Sequence, residues 1–255
     1  MRKTFRSAQS VLRANQLNAL SVSALVDQGN RLMDEGQPKP AQEAFQGAVD
    51  LLLSHKSRDD KSLAIARYNL ARAFAALGKT ERATSEYRAA LALRPRFPEA
   101  QNNLGMLLID DGKFQDAADL FRKAIAADPL FAAAHYGLGV ALQNLGDQTQ
   151  AAFCYQKALT LKPDFYASWV NLGLICYAIG SADVAVHCYN EAIGLCPGNA
   201  ELYFQLGLAY MMLERFADAT RAFSKALELQ PDFLLARDAL EEAMYFKLAG
   251  EPQPA

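Results

Sequence analysis

Five prolines, Pro95, Pro129, Pro163, Pro197 and Pro231, stand 34 residues apart, and four of them open the triplet Pro-x-Phe with Phe97, Phe131, Phe165 and Phe233. A fixed spacing of this kind makes the chain a tandem array of one supersecondary unit, whose copies bury a core only by stacking on one another. Other columns fall into register on the same period. An Ala column runs through Ala41, Ala83, Ala117, Ala151, Ala185 and Ala219, with a second one seven residues on (Ala48, Ala90, Ala124, Ala158, Ala192, Ala226). Between them lies a ring column: Phe45, Tyr87, Phe121, Tyr155, Tyr189 and Phe223. Ala, ring and Ala at spacings of four and three share one helix face, where small residues admit a neighbour and the ring fills the gap.

A helix upstream of that one carries its own pair, Leu70-Ala71, Leu104-Gly105, Leu138-Gly139, Leu172-Gly173 and Leu206-Gly207, with a weaker Gln28-Gly29 at the start. Gly costs about 1 kcal/mol inside a helix relative to Ala, so its recurrence predicts a close helix crossing that offsets the loss. Gly36, Gly78, Gly112, Gly146 and Gly180 then close each first helix, as a left-handed C-terminal cap requires; the last copy has Glu214 there instead.

These columns resemble the tetratricopeptide repeat, a helix-turn-helix unit of 34 residues. The fold expected is all-α, a right-handed solenoid of six repeats spanning 22–55, 64–97, 98–131, 132–165, 166–199 and 200–233. Residues 234–250 read as an amphipathic capping helix that covers the apolar end of the stack, and 251–255 as a flexible tail. Repeat one has Leu53 in place of the closing proline and is followed by eight extra residues, KSRDDKSL, so its second helix is expected to run longer. Repeat five closes on Pro197-Gly198-Asn199 without Phe, which suggests a looser turn. Residues 1–21 hold Arg2, Lys3, Arg6 and Arg13 with Phe5, Leu12 and Leu20, and no acidic residue precedes Asp27. They read as a basic amphipathic segment, with an organelle transit peptide as the alternative. The expected location is accordingly cytoplasmic, or an organelle matrix under that alternative.

Composition narrows the function. A net charge of −2 gathers no nucleic acid, and no stretch approaches the roughly 18 consecutive apolar residues of a membrane span. No enzyme, cofactor or metal site is expected. His55, His135 and His187 fall in different repeats without partners at ligand spacing, and GLGVALQNLG at 137–146 has no strand before it to make a dinucleotide loop. Cys154, Cys176, Cys188 and Cys196 contain no CxxC and read as buried reduced thiols, with a Cys154–Cys188 disulfide left open.

In the tetratricopeptide repeat family the first helices line a concave side where ligands usually bind. The residue before each Leu-Gly pair lies about 100° around the helix from the buried Leu, and should face that groove. This column reads Asp27, Asn69, Asn103, Gly137, Asn171 and Gln205. An Asn amide both donates and accepts, so it can pair with an extended peptide backbone whatever its side chains. A similar asparagine ladder lines O-linked N-acetylglucosamine transferases; by that resemblance Asn69, Asn103 and Asn171 would hold a peptide, with Gln205 as a substitute and a gap at Gly137. The competing reading is that Asn is common in this column and simply solvated. Flanking groove columns add Tyr68, Asn102, Tyr136, Val170 and Phe204 on one side and Arg72, Met106, Leu174 and Leu208 on the other. Those columns are mixed in repeats one to three and apolar from repeat four on, and contiguous apolar groove residues mark an interaction surface. Arg72 is the one base among them, which does not suit the acidic chaperone tails that some family members bind. The function expected is a protein–protein interaction module or adaptor that takes a peptide segment or partner helix. Two alternatives are a substrate-recruiting subunit of an enzyme complex and a self-assembling scaffold.

Overall fold

The computed structural model describes residues 21–54 and 59–250, with side chains to residue 248. The greater part of the basic segment, His55, the first residues of KSRDDKSL and the tail at 251–255 lie outside the described residues. Helix α1 occupies 21–34. The helices that follow are α2 (Pro38–Ser54), α3 (Asp60–Ala76), α4 (Thr80–Leu93), α5 (Pro98–Asp110), α6 (Phe114–Ala127) and α7 (Ala132–Asn144). Beyond them lie α8 (Gln148–Leu161), α9 (Tyr166–Ala178), α10 (Ala182–Leu195), α11 (Ala200–Met212), α12 (Phe216–Leu229) and α13 (Leu234–Gly250). The described residues hold no strand. The all-α expectation of helix-turn-helix repeats is therefore met.

The chain divides into two compact units, Met1–Pro129 and Leu130–Ala255. In the first, each helix from α2 to α5 packs on the next in sequence; in the second, each from α7 to α12 does the same. Both units are built on the Ala-ring-Ala face of the even-numbered helices. Every Ala of the two columns is fully buried, and the rings from Phe45 to Phe223 are at most 2% exposed. A Cβ placed on Gly207 would lie 2.4 Å from Phe223 Cε1, and one on Gly139 2.6 Å from Tyr155 Cε1. The missing side chain is what lets the ring of the second helix press on the backbone of the first.

The turns follow the same economy. Gly36, Gly78, Gly112, Gly146 and Gly180 all have positive φ, from 69° to 87°, and Glu214 takes the same role with φ 56°. Closing three of the repeats, the proline carbonyl accepts a hydrogen bond from the side chain six residues on. Gln101 Nε2 reaches the Pro95 carbonyl at 2.7 Å, Trp169 Nε1 that of Pro163 at 2.8 Å, and Arg237 Nη2 that of Pro231 at 3.0 Å.

One local expectation is met and two are adjusted. Helix α2 does run longer than its later equivalents, 17 residues against 14. The insert after it is not all linker: α3 starts at Asp60, inside KSRDDKSL, because Asp59 Oδ1 accepts from the Ser62 backbone N–H at 3.1 Å and caps an extra turn. Cys154, Cys176 and Cys188 are buried and form no disulfide among the described residues, but Cys196 is exposed, since it follows the last turn of α10 rather than lying on its core face.

Candidate peptide-binding face

The first unit presents a cavity of about 290 Å³ on the face formed by its odd-numbered helices. Its lining joins Arg72 of α3 and Asn103 and Met106 of α5, three of the residues singled out by their columns, with Met33, Ala75, Tyr87 and Leu107. The polar wall is organised by one amide. Asn103 Nδ2 donates to the Tyr87 hydroxyl at 3.3 Å and to the Tyr68 hydroxyl at 3.4 Å, while its carbonyl accepts from Asn102 Nδ2 at 3.2 Å. Tyr68 packs on both Tyr87 and Phe97, with ring centroids 5.9 and 4.8 Å apart. Burial raises the Tyr87 hydroxyl pKa to about 12, against the opposing pull of the Asn103 amide.

Arg72 supplies the charge. Its Nη1 donates to the Asn69 carbonyl at 3.3 Å, its guanidinium lies 5.9 Å from the Tyr68 ring centre, and among the described residues it has no carboxylate partner. A half-buried cation with one neutral acceptor retains donors for a ligand. Met33, Ala75, Met106 and Leu107 supply the apolar floor beside it. Met33 and Ala75 were missed from the columns because each lies six residues past the Asn column, further along the same broad helix face.

The second unit treats its equivalents differently. Asn171 Nδ2 donates to the Tyr155 hydroxyl at 3.2 Å, and that hydroxyl donates to Gln143 Oε1 at 2.7 Å. Gln205 Nε2 instead meets Glu201 Oε1 at 2.7 Å, and among the described residues the buried Tyr189 hydroxyl has no partner. Tyr136 packs between Tyr155 and Phe165, at 5.8 and 4.9 Å. Phe204 packs between Phe223 and Phe233, at 5.8 and 5.0 Å. Val170 and Leu208 are half-buried, and Leu174 is the exposed member of this set.

The expected groove exposure is thus corrected at three positions. Asn69 is 5%, Asn102 8% and Phe204 9% exposed, so none stands free on a ligand-facing edge. Phe204 is held by the two rings that flank it, Asn69 serves Arg72, and Asn102 turns inward with its carbonyl buried and, among the described residues, unpartnered. The column three residues past the Asn column is the open one: Arg72, Met106 and Leu208 are half-buried and Leu174 is exposed.

Among the described residues no group of three His, Cys, Asp or Glu side chains is placed to hold a metal ion. No helix there is long and apolar enough to cross a membrane.

Comparison with known proteins agrees with this architecture. A family model described as tetratricopeptide repeat matches residues 26–96, 68–129 and 102–164. A second, described as TPR repeat, matches 173–214, and a third, again tetratricopeptide repeat, matches 200–233. A search of curated proteins finds no match. Among solved structures the chain is similar to YrrB, described as a TPR protein with an unusual peptide-binding site. Identity is 26% with a TM-score of 0.65, over 78% of this chain and 99% of that one. It is also similar in fold to PilF of Pseudomonas aeruginosa, at 20% identity and a TM-score of 0.76, over 88% and 99% of the two chains. The Cut9–Hcn1 assembly of the APC/C gives 22% identity and a TM-score of 0.68, over 88% of this chain and 43% of that one. The chain belongs to the tetratricopeptide repeat family, a generally non-catalytic fold, and is a protein-interaction scaffold module.

Proposed function

We propose that the odd-helix face of the first unit binds a peptide segment of a partner protein. The observation that carries this reading is the cavity where Arg72, an available cation, meets the apolar side chains of Met33, Met106 and Leu107. An apolar pocket with a few oriented polar groups fixes one side chain of a ligand and the direction of its backbone. The likeness in fold to YrrB, which has a peptide-binding site of its own, supports the reading.

Recognition on this reading differs from an asparagine ladder. Asn103 spends its amide on two tyrosine hydroxyls and its carbonyl on Asn102, so it shapes the wall rather than gripping the ligand. Arg72 grips, and Met106 provides the pocket. Selection of a displayed random-peptide library against the full chain, repeated with Met106→Glu and with Arg72→Ala, tests this. Peptides selected by the wild type should lose at least about tenfold in affinity for each variant, the scale of a buried anchor. Peptides that bind both variants as well as the wild type would place the site elsewhere and overturn the proposal.

A further inference from the structure

Helix α13 is the last element of the second unit, and only half of it is covered. Ala236 and Ala243 are fully buried, packed with Ala239 and Leu240 on the core around Phe223 and Phe204. At about 100° per residue, the opposite side of the helix carries Leu234, Asp238, Glu241, Glu242, Tyr245 and Leu248. Leu234, Tyr245 and Leu248 are 64%, 69% and 65% exposed, and Leu235 beside them 63%. A terminal cap that only solubilises a stack shows a polar outer face; this one shows exposed apolar residues at both ends, Leu234 with Leu235 and Tyr245 with Leu248, and three carboxylates between them. Asp238, Glu241 and Glu242 take part in no ion pair among the described residues.

That chemistry selects its occupant. A further ring-bearing helix cannot seat here in the manner of the repeats. Glu241 stands 34 residues after Gly207, the position where even a Cβ would come within 2.4 Å of a ring. Two α13 helices from two copies, laid antiparallel, would set carboxylates against carboxylates, which costs rather than stabilises. The chain itself contains the complement. Residues 1–20 carry Arg2, Lys3, Arg6 and Arg13 and no carboxylate, together with Phe5, Val11, Leu12, Leu17 and Leu20. We propose that the exposed face of α13 binds residues 1–20 of a second copy of this chain, apolar side chains against Leu234, Leu235, Tyr245 and Leu248, and bases against Asp238, Glu241 and Glu242. Such a contact joins two different surfaces, so it leaves one of each free at the ends of the pair and propagates into head-to-tail chains. It is independent of the peptide site proposed for the first unit.

Sedimentation velocity of the full chain over a dilution series, in about 50 mM and about 500 mM salt, reads the association directly. The mass should rise with concentration beyond that of a dimer, and less so at high salt, where exposed charges are screened. Reversing the helix (Asp238→Lys, Glu241→Lys, Glu242→Lys) or the segment (Arg2→Glu, Lys3→Glu, Arg6→Glu, Arg13→Glu) should each weaken association at least about tenfold. Mixing the two reversed variants restores complementary pairs and should restore association. Circular dichroism should show unchanged helix content, and Glu241→Gln with Glu242→Gln, which introduces no new charge, should shift association in the same direction by a smaller factor. A wild type that stays monomeric at every concentration, association indifferent to either reversal, or a mixture that fails to recover it, overturns the proposal.

Discussion

Asn171 donates its side-chain amide to the Tyr155 hydroxyl 3.2 Å away, sixteen residues back and one repeat earlier, and Asn103 does the same to Tyr87 at 3.3 Å. The asparagine column is thereby tied to the ring column at Tyr87 and Tyr155, where an Asn amide clasps the preceding repeat; at Tyr189 the longer Gln205 turns to Glu201 instead. Phe121 has no hydroxyl, and the position sixteen residues after it is Gly137. The gap in the column then follows from the ring, with no reference to a ligand.

Asn171→Ala accordingly loses an inter-repeat bond of about 1 kcal/mol, partly offset by the better helix propensity of Ala. A double-mutant cycle with Tyr155→Phe, read by urea unfolding, separates the two effects and should return a coupling of about 1 kcal/mol. A solvated or purely ligand-binding Asn would give a coupling of zero.

Substitution of two helical glycines should have opposite signs. Gly207→Ala puts a methyl 2.4 Å from a fully buried ring, an overpacking of about 1–3 kcal/mol that exceeds the roughly 1 kcal/mol gained in helix propensity. Gly194→Ala in α10 meets nothing within 4 Å, so the propensity gain is kept and the variant should be more stable by up to about 1 kcal/mol. Denaturant midpoints of the pair, compared with the wild type, check both directions.

Glu214 keeps a left-handed backbone, φ 56°, at the one first-helix cap without glycine. Glu214→Gly should relieve that strain and raise the unfolding free energy by about 1 kcal/mol, whereas Glu214→Ala, which retains a Cβ, should not. Thermal melts of the two variants distinguish backbone relief from loss of the carboxylate.

Alkaline pH should unfold the chain through its buried weak acids. Burial raises the Tyr87 hydroxyl from 10 and the Cys188 thiol from 9, each to about 12. The folded chain holds these protons more tightly than the unfolded chain, so their contribution is fully present below pH 9 to 10 and is lost as pH rises through about 12. The urea midpoint should fall steadily from about pH 9 upward, and Cys188→Ala should make that fall shallower.

The sequence columns located the helices because each column answers to one physical demand: room for a ring at Gly207, left-handed backbone at Gly180, a ring at Tyr189. The burial of Asn102 and Phe204 was not legible, because exposure depends on neighbours that the column does not contain. Phe204 is covered by Phe223 from the next helix and by Phe233 from the turn after it. The use of Asn103 and Asn171 could have been found, but only by pairing two columns and asking which rings carry a hydroxyl. The face of α13 shows the limit on the other side: LLARDALEEAMYFKLAG reads as amphipathic, and its apolar residues lie on both faces of the helix.

The proline carbonyls carry a different lesson. Gln101, Trp169 and Arg237 share no charge, shape or aromaticity, yet each closes the turn six residues behind it. The demand at that position is reach and a donor, nothing more. A protein lengthened by copying one unit can let this site drift while the turns at Pro95, Pro163 and Pro231 stay latched, so divergence collects where it is harmless.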